Sequence, residues 1–182
     1  MDFFTKNYNW PVYIILLLIV FLAVKIRSLN IYGLKDVTTG NFTLGPDLDP
    51  FLFLRWADYI VNHGSLMALD TLRYSPLGAN VDISVFSSYF VAYAYRIFNF
   101  LGLDTTVATV NNYYPLIATA IMTIFLFLFV RKAFDWRVGL LSALLINIIP
   151  SFLFRSMGGS SDHDILGLMI TVMVLYFYLT AL

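Results

Sequence analysis

The chain has no cysteine, which removes disulfides, thiol nucleophiles and thiolate metal sites at once. Any metal chemistry must then use carboxylates or histidine. Charge is also scarce: charged residues make up 12% of the 182 positions, and 11 basic against 11 acidic side chains leave a formal net charge of zero. No global field therefore favours nucleic acid or an acidic polymer, and whatever charge matters must act locally. What fills the sequence is apolar. It is 60% hydrophobic and 18% aromatic, with a mean hydropathy of +0.80, far from the balance of a soluble domain. Lipid is the solvent for much of this chain, and the 17 Phe and 12 Tyr read as lipid-facing, packing or interfacial residues.

The apolar runs set the organisation. No residue between Lys6 and Lys25 is charged, and Trp10 to Val24 is dense in Ile, Leu and Val, which predicts a first membrane span over about 8–27. A cleaved signal peptide is the rival, but Val24, Lys25, Ile26 and Arg27 lack the small-x-small pattern of a cleavage site. Residues 28–104 read as a long external loop. It is punctuated by Gly33, Gly45, Pro46, Gly64, Pro76 and Gly78. Inside it, Phe51 to His63 has helical spacing, with Asp49 placed as N-cap and Pro50 as first helical residue. The run from Ile83 is interrupted by Arg96 and ends near Leu103, so an interfacial helix over about 83–103 is expected rather than a crossing. Further spans are expected over 105–130, 138–155 and 165–182. Pro150 falls near the end of the third, and Gly158 to Ser161 break the chain before the fourth. The apolar run at the terminus suggests the amino-terminal part of a longer membrane protein.

The basic cluster Arg131, Lys132 and Arg137 is expected on the cytoplasmic side. With 83–103 in the interface, the first loop and the Gly158–Asp164 loop then both face outward. Lys25, Arg27, Arg55 and Arg73 in the first loop run against the bias, which is weak for loops longer than roughly 60 residues.

Two acidic constellations stand out at membrane boundaries, Asp47-Leu48-Asp49-Pro50 and Asp162-His163-Asp164. Carboxylates at i and i+2 can converge on one hard divalent cation. Two rarely suffice, so Asp49 would supply a third if the loops meet, with water or a substrate phosphate completing the shell. His163 is a possible further ligand, although alternation in an extended loop points it away from its neighbours. Asp47 is another. The bland alternatives are that Asp49, Asp162 or Asp164 only cap helices. Likewise Arg155 would only snorkel at a helix end, and Arg55 only pair with Asp58 or Asp49.

Three segments carry a family likeness. Asp49-Pro50-Phe51-Leu52-Phe53-Leu54-Arg55 resembles an Asp-Pro-aromatic run leading to Arg; Tyr74-Ser75-Pro76-Leu77-Gly78 resembles a Tyr-Pro-Leu-Gly turn with an inserted serine. Arg155-Ser156-Met157-Gly158-Gly159-Ser160-Ser161-Asp162-His163-Asp164 is similar to Arg-Ser-x-Ala-Gly-Ser-x-Asp-x-Glu, with Gly158 for alanine and Asp164 for glutamate. In that order they resemble the amino-terminal part of the catalytic subunit of oligosaccharyltransferase, over essentially the whole of residues 1–182. The resemblance implies an all-α polytopic helix bundle of the type C membrane glycosyltransferases, multi-pass in the cell membrane (of an archaeon above all) or the ER, with its active site outside. It implies transfer of a glycan from a polyprenyl or dolichyl (pyro)phosphate carrier to the Asn of Asn-x-Ser/Thr in an acceptor polypeptide. No nucleic acid is involved. It further implies a cofactor, Mn²⁺ or Mg²⁺, with Asp49 serving both metal and acceptor amide, Asp162 and Asp164 binding the metal, and Arg55 and Arg155 near substrate. The family's later external loop and its soluble carboxyl-terminal domain have no counterpart here, so 182 residues alone are expected to be inactive. Rival functions are another polyprenyl-phosphate-sugar glycosyltransferase such as a protein O-mannosyltransferase, which also carries acidic residues in its first external loop but against which the Gly-Ser-x-Asp-x-Asp segment argues, and a transporter or structural subunit, which would place charges within the spans.

Overall fold

The computed structural model describes residues 10–81 and 85–182. It is mostly helical: α1 (Trp10–Ser28), α2 (Asp49–His63), α3 (Phe86–Phe100), α4 (Val107–Ala133), α5 (Trp136–Ile148), α6 (Pro150–Arg155) and α7 (His163–Ala181). A two-residue antiparallel ladder, β1 (Leu69–Asp70) with β2 (Ala79–Asn80), is the departure from an all-α expectation. Among the described residues, three helical segments are long and apolar enough to cross a membrane: Trp10–Gly33, Val107–Ala133 and His163–Ala181. The expected beginnings of the first span and of the 83–103 helix fall at positions outside the described residues. From Phe86 on, the latter is α3, whose 15 residues are short of the ~17 that a crossing needs.

The stretch expected as one span over 138–155 is divided. Helix α5 ends at Ile148, Ile149 is extended, and α6 restarts at Pro150. The residue before a proline is pushed out of the helical region, and proline is well suited to a first helical turn, so Pro150 restarts a helix rather than fraying the end of one. Asp135 opens α5 by accepting the backbone N–H groups of Arg137 at 2.7 Å and Val138 at 2.9 Å.

The chain forms two compact units. The first comprises residues 10–29, 116–157 and 164–182 of the described chain. Buried positions on α1 recur at Val12, Leu16, Ile19, Ala23 and Arg27, a single helical stripe, while Leu17, Leu18, Phe21 and Leu22 are more than half exposed, as a lipid-facing side would be. That stripe packs with Phe127 of α4 and Ala143 of α5. Gly139 permits the approach, since a Cβ there would stand 3.0 Å from the Phe127 ring. Several polar groups inside this unit are hydrogen-bonded: Asn147 Nδ2 donates to Thr123 Oγ1 at 2.9 Å, and the fully buried Arg27 donates to Ser156 Oγ at 2.7 Å and to the Ala23 carbonyl at 3.2 Å, whereas Asn147 Oδ1 and Thr119 Oγ1 are buried without a partner.

The second unit comprises residues 30–115 and 158–163. Helices α2 and α3 pack against each other around Phe53, Trp56, Ala57, Ile60, Val91 and Ala92. Arg96, which interrupts the apolar run of α3, donates to the Ile60 and Val61 carbonyls near the end of α2, both at 3.1 Å. Gly64 then closes α2 at φ 87°, where its N–H donates to the Ile60 carbonyl.

Candidate metal and substrate site

Segment 158–163 is built onto the first turns of α4. The Gly159 N–H donates to the Asn112 carbonyl at 3.2 Å, Ser161 Oγ donates to the Asn111 carbonyl, and Tyr114 Oη donates to the Asp162 carbonyl at 2.6 Å. From the other side, the Gly45 N–H donates to the Gly159 carbonyl at 3.1 Å, and Asn30 Nδ2 to that of Gly158 at 2.5 Å. The loop is therefore fixed through its backbone.

Asp162 is 4% exposed, and its Oδ1 accepts the His163 N–H at 2.6 Å. His163 Nδ1 lies 2.5 Å from the same oxygen. Ligand atoms of Asp162, His163 and Asp164 all fall within 4.8 Å of one another. His163 thus does not point away, as alternation would have it: it is the first residue of α7, and the turn of the helix brings its ring back beside Asp162. Two carboxylates and an imidazole so spaced suit a divalent cation of hard or borderline character. Asp164, in the first turn of α7, lies 3.8 Å from Arg155 at the mouth of a cavity of about 420 Å³ otherwise lined by Ile146, Ile149, Ser151, Phe152, Ile165 and Leu168.

Asp49 is exposed. It is not the N-cap: α2 starts at Asp49, Leu48 holds the cap position without a side-chain hydrogen bond, and Asp47 Oδ1 accepts the Leu48 N–H at 2.8 Å. Its carboxylate is consequently not consumed by capping. One turn further along the same face, Phe53 meets His163 edge-on with ring centroids 5.7 Å apart. The helix that carries Asp49 and the segment that carries Asp162 and His163 so belong to one packed unit.

Arg55 pairs with neither Asp58 nor Asp49. Its two terminal nitrogens grip the carboxylate of the fully buried Asp70, one at 2.9 Å to Oδ1 and the other to Oδ2, while Trp56 Nε1 donates to Oδ2 at 2.9 Å and the Leu72 N–H to Oδ1 at 3.1 Å. The Arg55 guanidinium, followed by desolvation acting the other way and the Trp56 and Leu72 bonds, holds the Asp70 carboxyl at about 2 against an ordinary 3.8. Because the folded pKa is depressed, this contribution is complete above about pH 4 and lost as pH falls through 2. Asp70→Asn should cost about 1–3 kcal/mol, from the loss of bonds to charged groups, and should flatten the acid limb of the stability curve between pH 4 and 2, read by thermal unfolding in detergent.

Asp70, Asn111, Asn112, Tyr114 and Ser161 have structural parts that the sequence reading did not assign. Two neighbouring asparagines in an otherwise apolar run, four residues ahead of Pro115 in the case of Asn111, are the signal that was there to read.

The chain is similar to known proteins in sequence and fold. Residues 12–182 match the family model described as "Oligosaccharyl transferase STT3, N-terminal". Dolichyl-phosphooligosaccharide-protein glycotransferase 3 of Archaeoglobus fulgidus is 30% identical over 166 residues, which cover 90% of this chain and 18% of that protein. The Saccharomyces cerevisiae dolichyl-diphosphooligosaccharide–protein glycosyltransferase subunit STT3 is 25% identical over 143 residues, 74% of this chain and 20% of the yeast protein. Among solved structures, the A. fulgidus oligosaccharyltransferase in complex with Zn and sulfate superposes with a TM-score of 0.76 at 28% identity, covering 92% of this chain and 21% of that one. The same enzyme tethered to an acceptor peptide with an NVT sequon gives 0.79 at 27% identity, over 96% and 20%. This chain spans about a fifth of the length of the relatives it matches. On the match over 171 of its residues, with the helices and the Asp-His-Asp segment in place, the chain belongs to the STT3 oligosaccharyl transferase family.

Proposed function

We propose that this chain forms the amino-terminal part of an oligosaccharyltransferase catalytic subunit, which moves a glycan from a polyprenyl or dolichyl (pyro)phosphate to the Asn of an Asn-x-Ser/Thr sequon on the outer face of the membrane. The observation that carries the reading is the packing of Phe53 on His163, which puts the helix headed by Asp49 beside the Asp162 loop. The backbone bond from Gly45 to Gly159 supports a common side of the bilayer for both segments. The Zn-bound A. fulgidus enzyme is the relative that supports a metal.

Asp162 and Asp164 would hold the cation, Mn²⁺ or Mg²⁺, with Asp49 as third carboxylate and His163 or Asp47 as further donors. When bound, the cation neutralises charge growing on the departing phosphate. Asp49 has a second task. An amide nitrogen is a poor nucleophile because its lone pair is delocalised into the carbonyl, and an exposed carboxylate that accepts both N–H bonds weakens that delocalisation and orients the nitrogen for attack. Arg155 stands at the mouth of the apolar cavity, where its guanidinium suits a phosphate and the cavity suits the first isoprene units of the carrier. Arg55 acts on substrate at most through the nitrogen edge that Asp70 leaves.

Membranes of the source cells, given a peptide with an Asn-Val-Thr sequon, should glycosylate it. Immunodepletion of the polypeptide carrying this sequence from the detergent extract should remove that activity. Activity undiminished after depletion would sink the reading. The absence of native cysteine makes sidedness simple to test. Val37→Cys, at a position 99% exposed in the second unit, should react with an impermeant maleimide from outside, and Phe134→Cys, beside the basic cluster, only after permeabilisation.

A further inference from the structure

Pro115 lies inside α4 and has no N–H, so the carbonyl four residues earlier, that of Asn111, receives no helical hydrogen bond. In an apolar run such a carbonyl has to be satisfied from elsewhere, and a serine hydroxyl is one of the groups that does so. Here the donor is Ser161 Oγ, from a residue that is fully buried and directly precedes Asp162. The Asn111 side chain is not what orders the loop: both its amide atoms are buried without a hydrogen-bond partner. The backbone carbonyl is the attachment point, and it is available because of the proline.

We propose that Pro115 and Ser161 form a latch that positions the Asp162 carboxylate: the proline keeps the Asn111 carbonyl out of the helical ladder, and the Ser161 hydroxyl takes it. Both are positioning residues, one removed from the metal site. The rival is that Pro115 only bends α4 and Ser161 only fills space. The two accounts differ in how the substitutions combine. Pro115→Ala restores an N–H that competes for the same carbonyl, so it disables the latch while favouring the helix. With the carbonyl shared between two donors, Ser161→Ala then has less to remove.

The test is a double-mutant cycle on the purified chain in detergent, read by hydrogen exchange of the Gly159 and Asp162 amides and by EPR titration with Mn²⁺ alone. Losing one buried hydrogen bond predicts about tenfold faster exchange for Ser161→Ala. Pro115→Ala should do the same to this loop while leaving the melting temperature unchanged or raised, a combination that general unfolding does not produce. The double variant should fall clearly short of the product of the two single effects. Effects that multiply, or a loop unchanged in Pro115→Ala, would overturn the latch. The manganese arm rests on the proposed metal site: affinity should fall with each single variant, and in the double by less than the product of the two. A wild-type chain that binds no Mn²⁺ yet shows the exchange pattern would tell against the metal site and leave the latch standing.

Discussion

Replacing Gly159 with alanine should disable the candidate site without touching any of its ligands. Gly159 has φ +81°, and a Cβ there would stand 2.3 Å from Leu34 Cδ1, 3.1 Å from Asn112 Oδ1 and 3.3 Å from the Gly45 backbone nitrogen. The leucine can rotate away. The Gly45 nitrogen cannot, because it donates to the carbonyl of Gly159 itself, and the Asn112 carbonyl accepts the Gly159 N–H. Left-handed backbone costs a residue with a side chain about 1–2 kcal/mol, and displacing a tight packing contact adds about 1–3. A combined cost of about 2–5 kcal/mol is comparable to or larger than the about 1–3 kcal/mol that the two backbone bonds at Gly159 contribute, so those two bonds should open and the loop should loosen on α4 and on residue 45. The measurement is proteolysis and hydrogen exchange over 157–165, where Gly159→Ala should open the segment by at least tenfold. Gly45→Ala is the control. A Cβ at Gly45 meets nothing nearer than 3.4 Å and no positive φ is imposed, so that variant should stay close to wild type. Equal behaviour of the two variants would refute the account of why 159 must be glycine.

The regular and strongly apolar parts of the fold were legible in the sequence. The apolar body of α1, the long run of α4 and the final helix all follow from uncharged stretches, and the break at Gly158–Ser161 is visible from its glycines and serines. The helix after Asp49 was legible from Pro50 and the spacing behind it, though Asp49 sits inside the helix and not at its cap. What stayed hidden has a common cause: it depends on pairing between segments distant in sequence. The two-residue strands at Leu69 and Ala79 are too short to show a period, so Asp70 looked like any loop carboxylate, and Arg55 was assigned partners near it in sequence. Ile149 and Pro150 show the reverse. Pro150 is plain in the sequence, but only the packing decides whether it frays one helix or starts another. At the site, acidic residue types marked the positions, whereas the orientation of His163 needed the helix start, which shifts a side chain from alternation to a 3.6-residue turn.

The carboxylates at 49, 162 and 164 should separate into two phenotypes. Asp162 is nearly buried against His163, held by Tyr114 through its own carbonyl, so its carboxylate is pre-positioned and its removal loses a fixed donor. Asp164 is half-exposed with Arg155 at 3.8 Å, a looser donor whose loss water can partly replace. Asp49 is exposed at the start of α2, free of any capping bond, and is the residue proposed to hold the acceptor amide as well as the cation. A donor that only binds metal is compensated by raising the metal concentration; a group that also orients the nucleophile is not. In the polypeptide carrying this sequence, Asp162→Ala and Asp164→Ala should therefore raise the Mn²⁺ concentration needed for half-maximal transfer, about tenfold or more for Asp162 and less for Asp164, as loss of a supporting ligand interaction typically does. Activity in both should recover in large part at saturating Mn²⁺. Asp49→Ala should lose transfer by about 10³-fold or more, the scale set by deleting a group that acts in the transition state, and no metal concentration should restore it. Glycopeptide formation measured across a Mn²⁺ series decides the matter. Full recovery of Asp49→Ala at high Mn²⁺ would reduce Asp49 to a ligand, and no recovery of Asp162→Ala would mean that its carboxylate does more than hold the ion.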